Sequence, residues 1–392
     1  MTASSELIEK YNVPGPRYTS YPTVPYWDEG KFSVEKWKQS LKQTFLSTKE
    51  SEEGISLYIH LPFCESLCTY CGCNTRITVK HEVEGPYIDR LLKEWDLYLD
   101  ILGSKPTIKE IHLGGGTPTF FTAENLNILI TGILQKAVVH PNPEFSFEGH
   151  PANTNHEHLI CLYELGFTRI SLGIQDFNEK VQAAINRFQT YEQVRQVTED
   201  ARKIGYASIN YDLIFGLPYQ TLEGIEETIK QVSSLRPERI AFYSYAHVPW
   251  IKPGQRSYVD KDLPSDGEKR ALYEKGREMF AQAGYLEIGM DHFALPGDEL
   301  YKAVQAGTVH RNFMGYTPAA TKVLIGLGVS SISDSWSAFA QNVKVVEEYN
   351  KLIDENKLPV FRGHLLTQED LLIRKLILDV MCKMETSWDS SY

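Results

Sequence analysis

The sequence predicts an α/β protein, a partial (β/α)6 TIM-like barrel open along one side, with an N-terminal and a C-terminal extension. Six short runs rich in Ile, Val, Tyr and Phe, at 55–61, 108–114, 144–148, 169–175, 208–215 and 239–245, read as strands, with helical patterns between them. Three helical patterns end in a glycine followed by an aromatic and then a strand, at Gly166, Gly205 and Gly284, where glycine permits a left-handed cap. Their spacings of 39 and 79 residues give a repeat of about 40, the length of one βα module. Six modules are too few to close a standard eight-stranded barrel, so a lateral cleft is expected. A doubly wound open sheet of six parallel strands would carry the same pattern.

Each element has a local reason. In 191–204, Val194, Val197, Ala201 and Ile204 recur at steps of three and four, and in 221–235 so do Leu222, Ile225, Ile229 and Val232. Both faces are expected to pack inward. Thr367, with Asp370 three residues on, caps the apolar run at 371–384, after which only eight mostly polar residues follow. The expected organisation is 1–50 as an N-terminal extension, 51–290 as the barrel, and 291–392 as a C-terminal extension.

Composition narrows the function. A formal charge of −11 without long single-sign blocks argues against nucleic acid as partner, because phosphate calls for a basic face. No apolar stretch approaches 18 residues and no secretory signal follows Met1, so a cytoplasmic protein without a membrane partner is expected.

The chemistry points to residues 58–73, YIHLPFCESLCTYCGC, in which Cys64, Cys68 and Cys71 can hold an iron-sulfur cluster from one short loop. Three thiolates leave one iron open to a substrate or cofactor. Zinc would want a fourth ligand, for which Cys73 is at hand, and a second knuckle that is absent. Disulfides fit poorly, since four of six cysteines crowd into ten positions. In parallel architectures ligands sit at the carboxyl ends of strands. There the chain carries the cysteine loop, then Gly114, Gly115, Gly116 and Thr117, then Glu148 and His150, Gln175 and Asp176, Asp212, and Ala246 with His247. The glycines let backbone groups approach a ligand. A solitary carboxylate such as Asp212 at the end of an apolar strand is costly unless paired, which favours function. Arg187 could equally be a solvated surface group. Cys161 and Cys382 lie in apolar helical patterns and read as core; His60, His247, His292 and His310 read as core or substrate contacts. Arg17 and Arg311 are candidates for binding carboxylates bidentately.

The CxxxCxxC spacing followed by GGGTP resembles the radical S-adenosylmethionine (SAM) superfamily. GPRYTSYPT at 15–23, CGCN at 71–74, SLGIQDF at 171–177, DLIFGLP at 212–218, MDHFA at 290–294, HRNFMGYT at 310–317 and LGVSSIS at 327–333 resemble, within it, the oxygen-independent coproporphyrinogen III oxidase family of haem biosynthesis. That resemblance implies a 4Fe-4S cluster on Cys64, Cys68 and Cys71, with SAM chelating the fourth iron, and Tyr58 completing the catalytic set. It implies two SAM molecules, one lined by Tyr58, Gly115, Glu148, Ala246 and Ile332, the other by Tyr70, Gly116, Thr117, Gln175, Arg187 and Asp212. The implied reaction is anaerobic oxidative decarboxylation of two propionates of coproporphyrinogen III to vinyl groups, giving protoporphyrinogen IX, through a SAM-derived 5′-deoxyadenosyl radical. An external one-electron donor of flavodoxin or ferredoxin type and a monomeric state go with it. His150 stands where the family often carries an aspartate, and family members continue further with a helical domain that helps cover the cleft. The resemblance thus implies a radical SAM barrel in which 1–50 contacts the cleft and 291–392 carries an incomplete lid, a truncated C-terminal helical domain. A haem-binding chaperone relative, or a truncated paralogue keeping the cluster without oxidase activity, are the alternative readings. The RYTSYPT segment and Cys73 speak against the chaperone.

Overall fold

The computed structural model describes residues 20–27, 30–49 and 53–387, together with Lys10. Arg17 and the start of the GPRYTSYPT segment lie outside the described residues. The six expected strands all form: β1 Ile55–Leu61, β2 Thr107–Gly115, β3 Val138–Gly149, β4 Phe167–Gln175, β5 Ser208–Phe215 and β6 Arg239–Ser244. Each pairs in parallel with the next in sequence.

Alternation along these strands separates two environments. Leu57, Ile59, Ile111, Leu113, Phe147, Leu172, Ile209 and Leu213 point outward and are fully buried in one core with helix residues such as Leu91, Trp95, Leu129, Leu162, Val194 and Ile229. Removing each such side chain from water contributes roughly 1.5–3 kcal/mol. The opposite parity is polar: His112, Ser146, Glu148, Arg169, Ser171, Asn210 and Asp212 line an inner cavity of about 110 Å³. The greasy layer therefore lies between sheet and helices, and the lumen is kept for polar groups.

Helix ends follow their caps. In α1 Tyr191–Ile204, Thr190 accepts from the Gln193 N–H in a capping box, and Gly205 closes the helix at φ +119°. Val194, Val197 and Ala201 are buried as expected. In α2 Leu222–Leu235, capped by Thr221, Ile225, Ile229 and Val232 are buried, but Leu222 is exposed, since it occupies the first turn beyond the edge of the packed face.

The strand count grows at both edges of the sheet. Leu286–Gly289 (β7) and His292–Ala294 (β8) add antiparallel beyond β6. At the other edge Leu324–Leu327 (β9) pairs in parallel with β1, followed by antiparallel Ile332–Asp334 (β10), Ala338–Asn342 (β11) and Val360–Leu365 (β12). Among the described residues the sheet thus has twelve strands and does not close on itself. The segment after residue 290, expected as extension and helical lid, puts five strands into the main sheet and supplies three helices, of which the last is Gln368–Lys383 (α3). Strands of three to six residues are too short for a pattern of period two to stand out.

A buried carboxylate ties this added edge to the barrel. Glu94 accepts from the Gly328 N–H, the Tyr349 hydroxyl and Asn342 Nδ2, each at 2.7 Å. Burial pushes its carboxyl up to about 7, against the pull of these donors. A small hairpin, His310–Asn312 with Gly315–Thr317, lies against the lumen, its turn residue Phe313 meeting Tyr58 edge-on at 5.0 Å.

Candidate functional site

The cysteine loop leaves β1 and is bolted to its neighbours by backbone hydrogen bonds. The Gly116 N–H donates to Leu61 O at 2.8 Å and the Thr117 N–H to Phe63 O at 3.0 Å, so the glycine loop runs alongside it. A Cβ on Gly116 would stand 2.6 Å from the Pro62 carbonyl, and Gly115 sits at φ +111° against the His60 ring. Only glycine fits these two positions. On the other side the Thr69 N–H donates to Ile185 O, and Asn186 Nδ2 to Leu67 O, docking the loop on the end of helix Glu179–Ile185.

That end carries Arg187. Its Nε and Nη2 both donate to Gly173 O, at 3.2 and 2.6 Å, and Nη1 reaches Cys68 Sγ at 3.7 Å. It is a pinned, partly buried cation beside the thiols and not a solvated surface group. Gln175, one turn of strand away, holds φ +64°, a strained backbone for a side chain with a Cβ.

Cys64, Cys68 and Cys71 line one cavity of about 320 Å³ together with Tyr70, Gly115, Gly116, Thr117, Glu148, Gln175, Arg187 and Asp212. Eleven of the expected residues therefore converge. Tyr58, Ala246 and Ile332 do not line this cavity: Tyr58 lies beneath it, bonded to His60 Nδ1 at 3.1 Å, Ala246 gives its carbonyl to Gln255, and Ile332 pairs with Gln341. Among lining residues not singled out from sequence are Ser171 and Tyr243. Ser171 shares the lumen-facing parity of Gly173, and that alternation was the available signal.

The donor set fits a cluster. No three His, Cys, Asp or Glu side chains among the described residues are placed to hold a single metal ion. In a cubane each thiolate takes its own iron, and Cys64, Cys68 and Cys71 line one open cavity that could receive such a group. Without metal, burial pushes the Cys64 thiol up to about 11 and raises Cys68 as well, while Thr117 and Arg187 respectively oppose it. Cluster binding must therefore release protons. Thr117 Oγ1 lies 3.4 Å from Cys64 Sγ, and Cys73 is exposed at the rim.

Beyond the thiols the cavity is polar. Asp212 accepts from Ser171 Oγ and Asn210 Nδ2, each at 2.9 Å, and burial beside Glu148 raises its carboxyl to about 6. Glu148 Oε1 lies 3.2 Å from His112 Nε2. Burial, and then Arg187, lower His150 to about 3, so its ring is neutral; Nδ1 accepts from the Ala152 N–H, which leaves Nε2 as the donor. Of the other candidates, His60 is buried with both ring nitrogens engaged, by Tyr58 and Asn74 O. His292 bonds Asp291 at 2.7 Å and His247 bonds Tyr245 at 3.0 Å. Burial lowers His310 to about 4. Cys161 donates to Ala123 O and Cys382 packs against a small apolar cluster. Arg311 is buried with Nε and Nη1 unpartnered, its guanidinium 4.7 Å over the Tyr316 ring.

An open parallel barrel with three thiols from one loop, a glycine loop beside them and carboxylates at the next strand ends is the arrangement of a radical SAM enzyme, and residues 58–232 match the Radical SAM superfamily. Over nearly its whole length the chain is similar to oxygen-independent coproporphyrinogen III oxidases. It is 38% identical to that of Pseudomonas aeruginosa across 98% of this chain and 83% of the relative, and 40% identical to that of Helicobacter pylori J99 across 99% and 84%. A solved coproporphyrinogen III oxidase from Escherichia coli superposes with a TM-score of 0.89 at 36% identity, covering 96% of this chain and 84% of that one. The chain belongs to the oxygen-independent coproporphyrinogen III oxidase family. No helix among the described residues is long and apolar enough to cross a membrane.

Proposed function

We propose that the chain decarboxylates two propionate side chains of coproporphyrinogen III oxidatively, giving the two vinyl groups of protoporphyrinogen IX, with a 4Fe-4S cluster and two SAM molecules as cofactors and an external one-electron donor. The observation that carries this is the convergence of the three thiols, the glycine loop and the strand-end carboxylates on one cavity, in a chain that aligns with the oxidases over 98% of its length. The match spans both the cysteine loop and the 310–333 motifs, which supports the oxidase over a chaperone or a cluster-only paralogue.

Bound together, the cluster and SAM supply the reducing electron and a radical able to take hydrogen from carbon. The chain's own residues do the positioning. Cys64, Cys68 and Cys71 hold the cluster as thiolates, and the side-chain-free Gly115 and Gly116 let SAM lie against backbone. Tyr58, Glu148, Ala246 and Ile332 are assigned with Gly115 to the cluster-bound SAM, Glu148 accepting from its hydroxyl or amino groups. Tyr70, Thr117, Gln175, Arg187 and Asp212 are assigned with Gly116 to the second. Arg311, buried with Nε and Nη1 unpartnered and forming no ion pair among the described residues, suits a substrate carboxylate, since buried guanidinium donors left unsatisfied are costly. Residues 51–290 supply the six parallel strands that carry these side chains, and the segment after 290, which extends the sheet at both edges, is assigned to covering the cleft.

Anaerobically reconstituted protein, given dithionite, SAM and coproporphyrinogen III, is expected to form protoporphyrinogen IX, followed by chromatography after oxidation to the porphyrin. SAM cleavage without product would refute the assigned substrate.

Asp212 gives the reaction a pH signature. Its carboxyl titrates near 6, so as pH falls from 7 to 5 it gains a proton and ceases to accept from SAM. SAM affinity is expected to weaken over that interval, and Asp212→Asn to be weak throughout and flat. The stability effect has the opposite sign. A carboxyl raised in the folded state stabilises below about 4 and loses that contribution as pH rises through 6, so Asp212→Asn is expected to melt higher at pH 7.5, by roughly 1–2 kcal/mol. Calorimetric titration and thermal melts read the two effects.

A further inference from the structure

The cluster needs electrons from outside, and the outer face of the cysteine loop has the make-up of an entry point. Gly72 and Cys73 are exposed there, one and two residues from Cys71. Two lysines flank them: Lys252 Nζ donates to Gly72 O at 2.8 Å, and Lys344 is tethered through its own carbonyl to Asn74 Nδ2 at 3.0 Å. Partial burial, and then Arg362 and Lys252, lower the Lys344 ammonium, so both cations act on it; Arg362 is held in place, its Nε and Nη2 donating to Gln341 Oε1 at 2.8 and 2.6 Å. None of the three forms an ion pair among the described residues, although the whole chain carries a net charge of −11. Between and beside them Trp250, Ile251 and Val345 are 71%, 66% and 52% exposed.

An apolar centre with a cationic rim on an otherwise acidic protein is unusual enough to mark an interface. The cysteines outside the loop, Cys161 and Cys382, lie on separate helices, so no second cysteine cluster is available to relay electrons from elsewhere.

We propose that this face, built from Trp250, Ile251, Lys252, Lys344, Val345 and Arg362, docks a small acidic one-electron carrier protein that reduces the cluster through the exposed turn at Gly72 and Cys73. The proposal rests on the reading of the cysteine loop as the cluster site. Each encounter moves one electron: the reduced carrier is oxidised by one, the cluster is reduced by one, and no bond or proton moves with it. The contact is of the transient kind, in which opposite charges speed the encounter and salt slows it.

The test compares two reductants, a flavodoxin-type carrier kept reduced by its reductase, and dithionite. In Lys344→Glu, whose tether to Asn74 is through its backbone carbonyl, carrier-driven SAM cleavage is expected to fall at least about tenfold and to lose its salt dependence, while dithionite-driven cleavage stays at the unsubstituted rate. Trp250→Ala/Ile251→Ala leaves the loop's hydrogen bonds in place and is expected to lower only the carrier-driven rate. Unchanged carrier-driven rates in both variants would overturn the docking face. So would a raised KM for coproporphyrinogen under dithionite, which would give these cations to the substrate's carboxylates. Failure of the unsubstituted protein to cleave SAM with dithionite would overturn the cluster reading itself, and the docking proposal with it.

Discussion

Cys68→Ala is expected to abolish both SAM cleavage and porphyrinogen turnover, with reconstituted protein lacking the full iron and sulfide content and the charge-transfer absorption of a 4Fe-4S cluster. Losing a residue that only supports a metal ligand costs about 10–100-fold, so losing a ligand itself should exceed that and leave activity below detection. The position allows no substitute. Cys73, the nearest spare thiol, is exposed and lines the same cavity beside Cys71, five residues along the loop from Cys68, which is held under Arg187. Cys73→Ala is therefore the matched control, expected to keep its cluster. A Cys68→Ala protein with a full cluster and intact SAM cleavage would show that the three-cysteine assignment is wrong.

Arg187→Met is expected to lower turnover roughly a hundredfold, which corresponds to about 2.7 kcal/mol. The substitution keeps the apolar stem but removes the donors to Gly173 O and Cys68 Sγ, leaving a strand carbonyl without its partner inside the cavity. Arg187→Lys retains charge and loses the fork, since an ammonium cannot hold the carbonyl and face the thiolate in one plane. It is expected to fall between the two. Because Arg187 is assigned to the second SAM, the loss should appear as weaker SAM binding at a cluster whose absorption is unchanged. Loss of the cluster itself in Arg187→Met would make the arginine a prop for the loop and remove it from SAM.

Much of this architecture was legible because its signals are local. Six strands with β-branched and aromatic runs, and a helix start such as the Thr367–Asp370 cap, declare themselves within a dozen residues. The cysteine and glycine loops were equally plain, because their chemistry is written in consecutive residues. The edges of the sheet were not. Strands such as Ile332–Asp334 exist because β9 offers them a free edge, a long-range condition that three residues cannot encode. Arg187 shows the same limit at the site. From sequence it was as good a surface arginine as any, and only the approach of Gly173, 14 residues upstream, makes it a buried donor. Glu94 was invisible for this reason too, since its three donors come from 234 to 255 residues away.

The alternating strands have a consequence for how such a protein can change over time. Residues that keep the barrel standing and residues that face the lumen occupy neighbouring positions in the chain but opposite sides of the sheet, so substitutions at Ser146, Ser171 or Asn210 leave the packing of Phe147, Leu172 and Ile209 untouched. New chemistry can be tried out in the lumen without disturbing the apolar layer, provided the donors that Ser171 and Asn210 give to Asp212 are replaced. The exception is the glycine loop, where Gly115 and Gly116 serve backbone geometry and cofactor access together, and no drift is open to them.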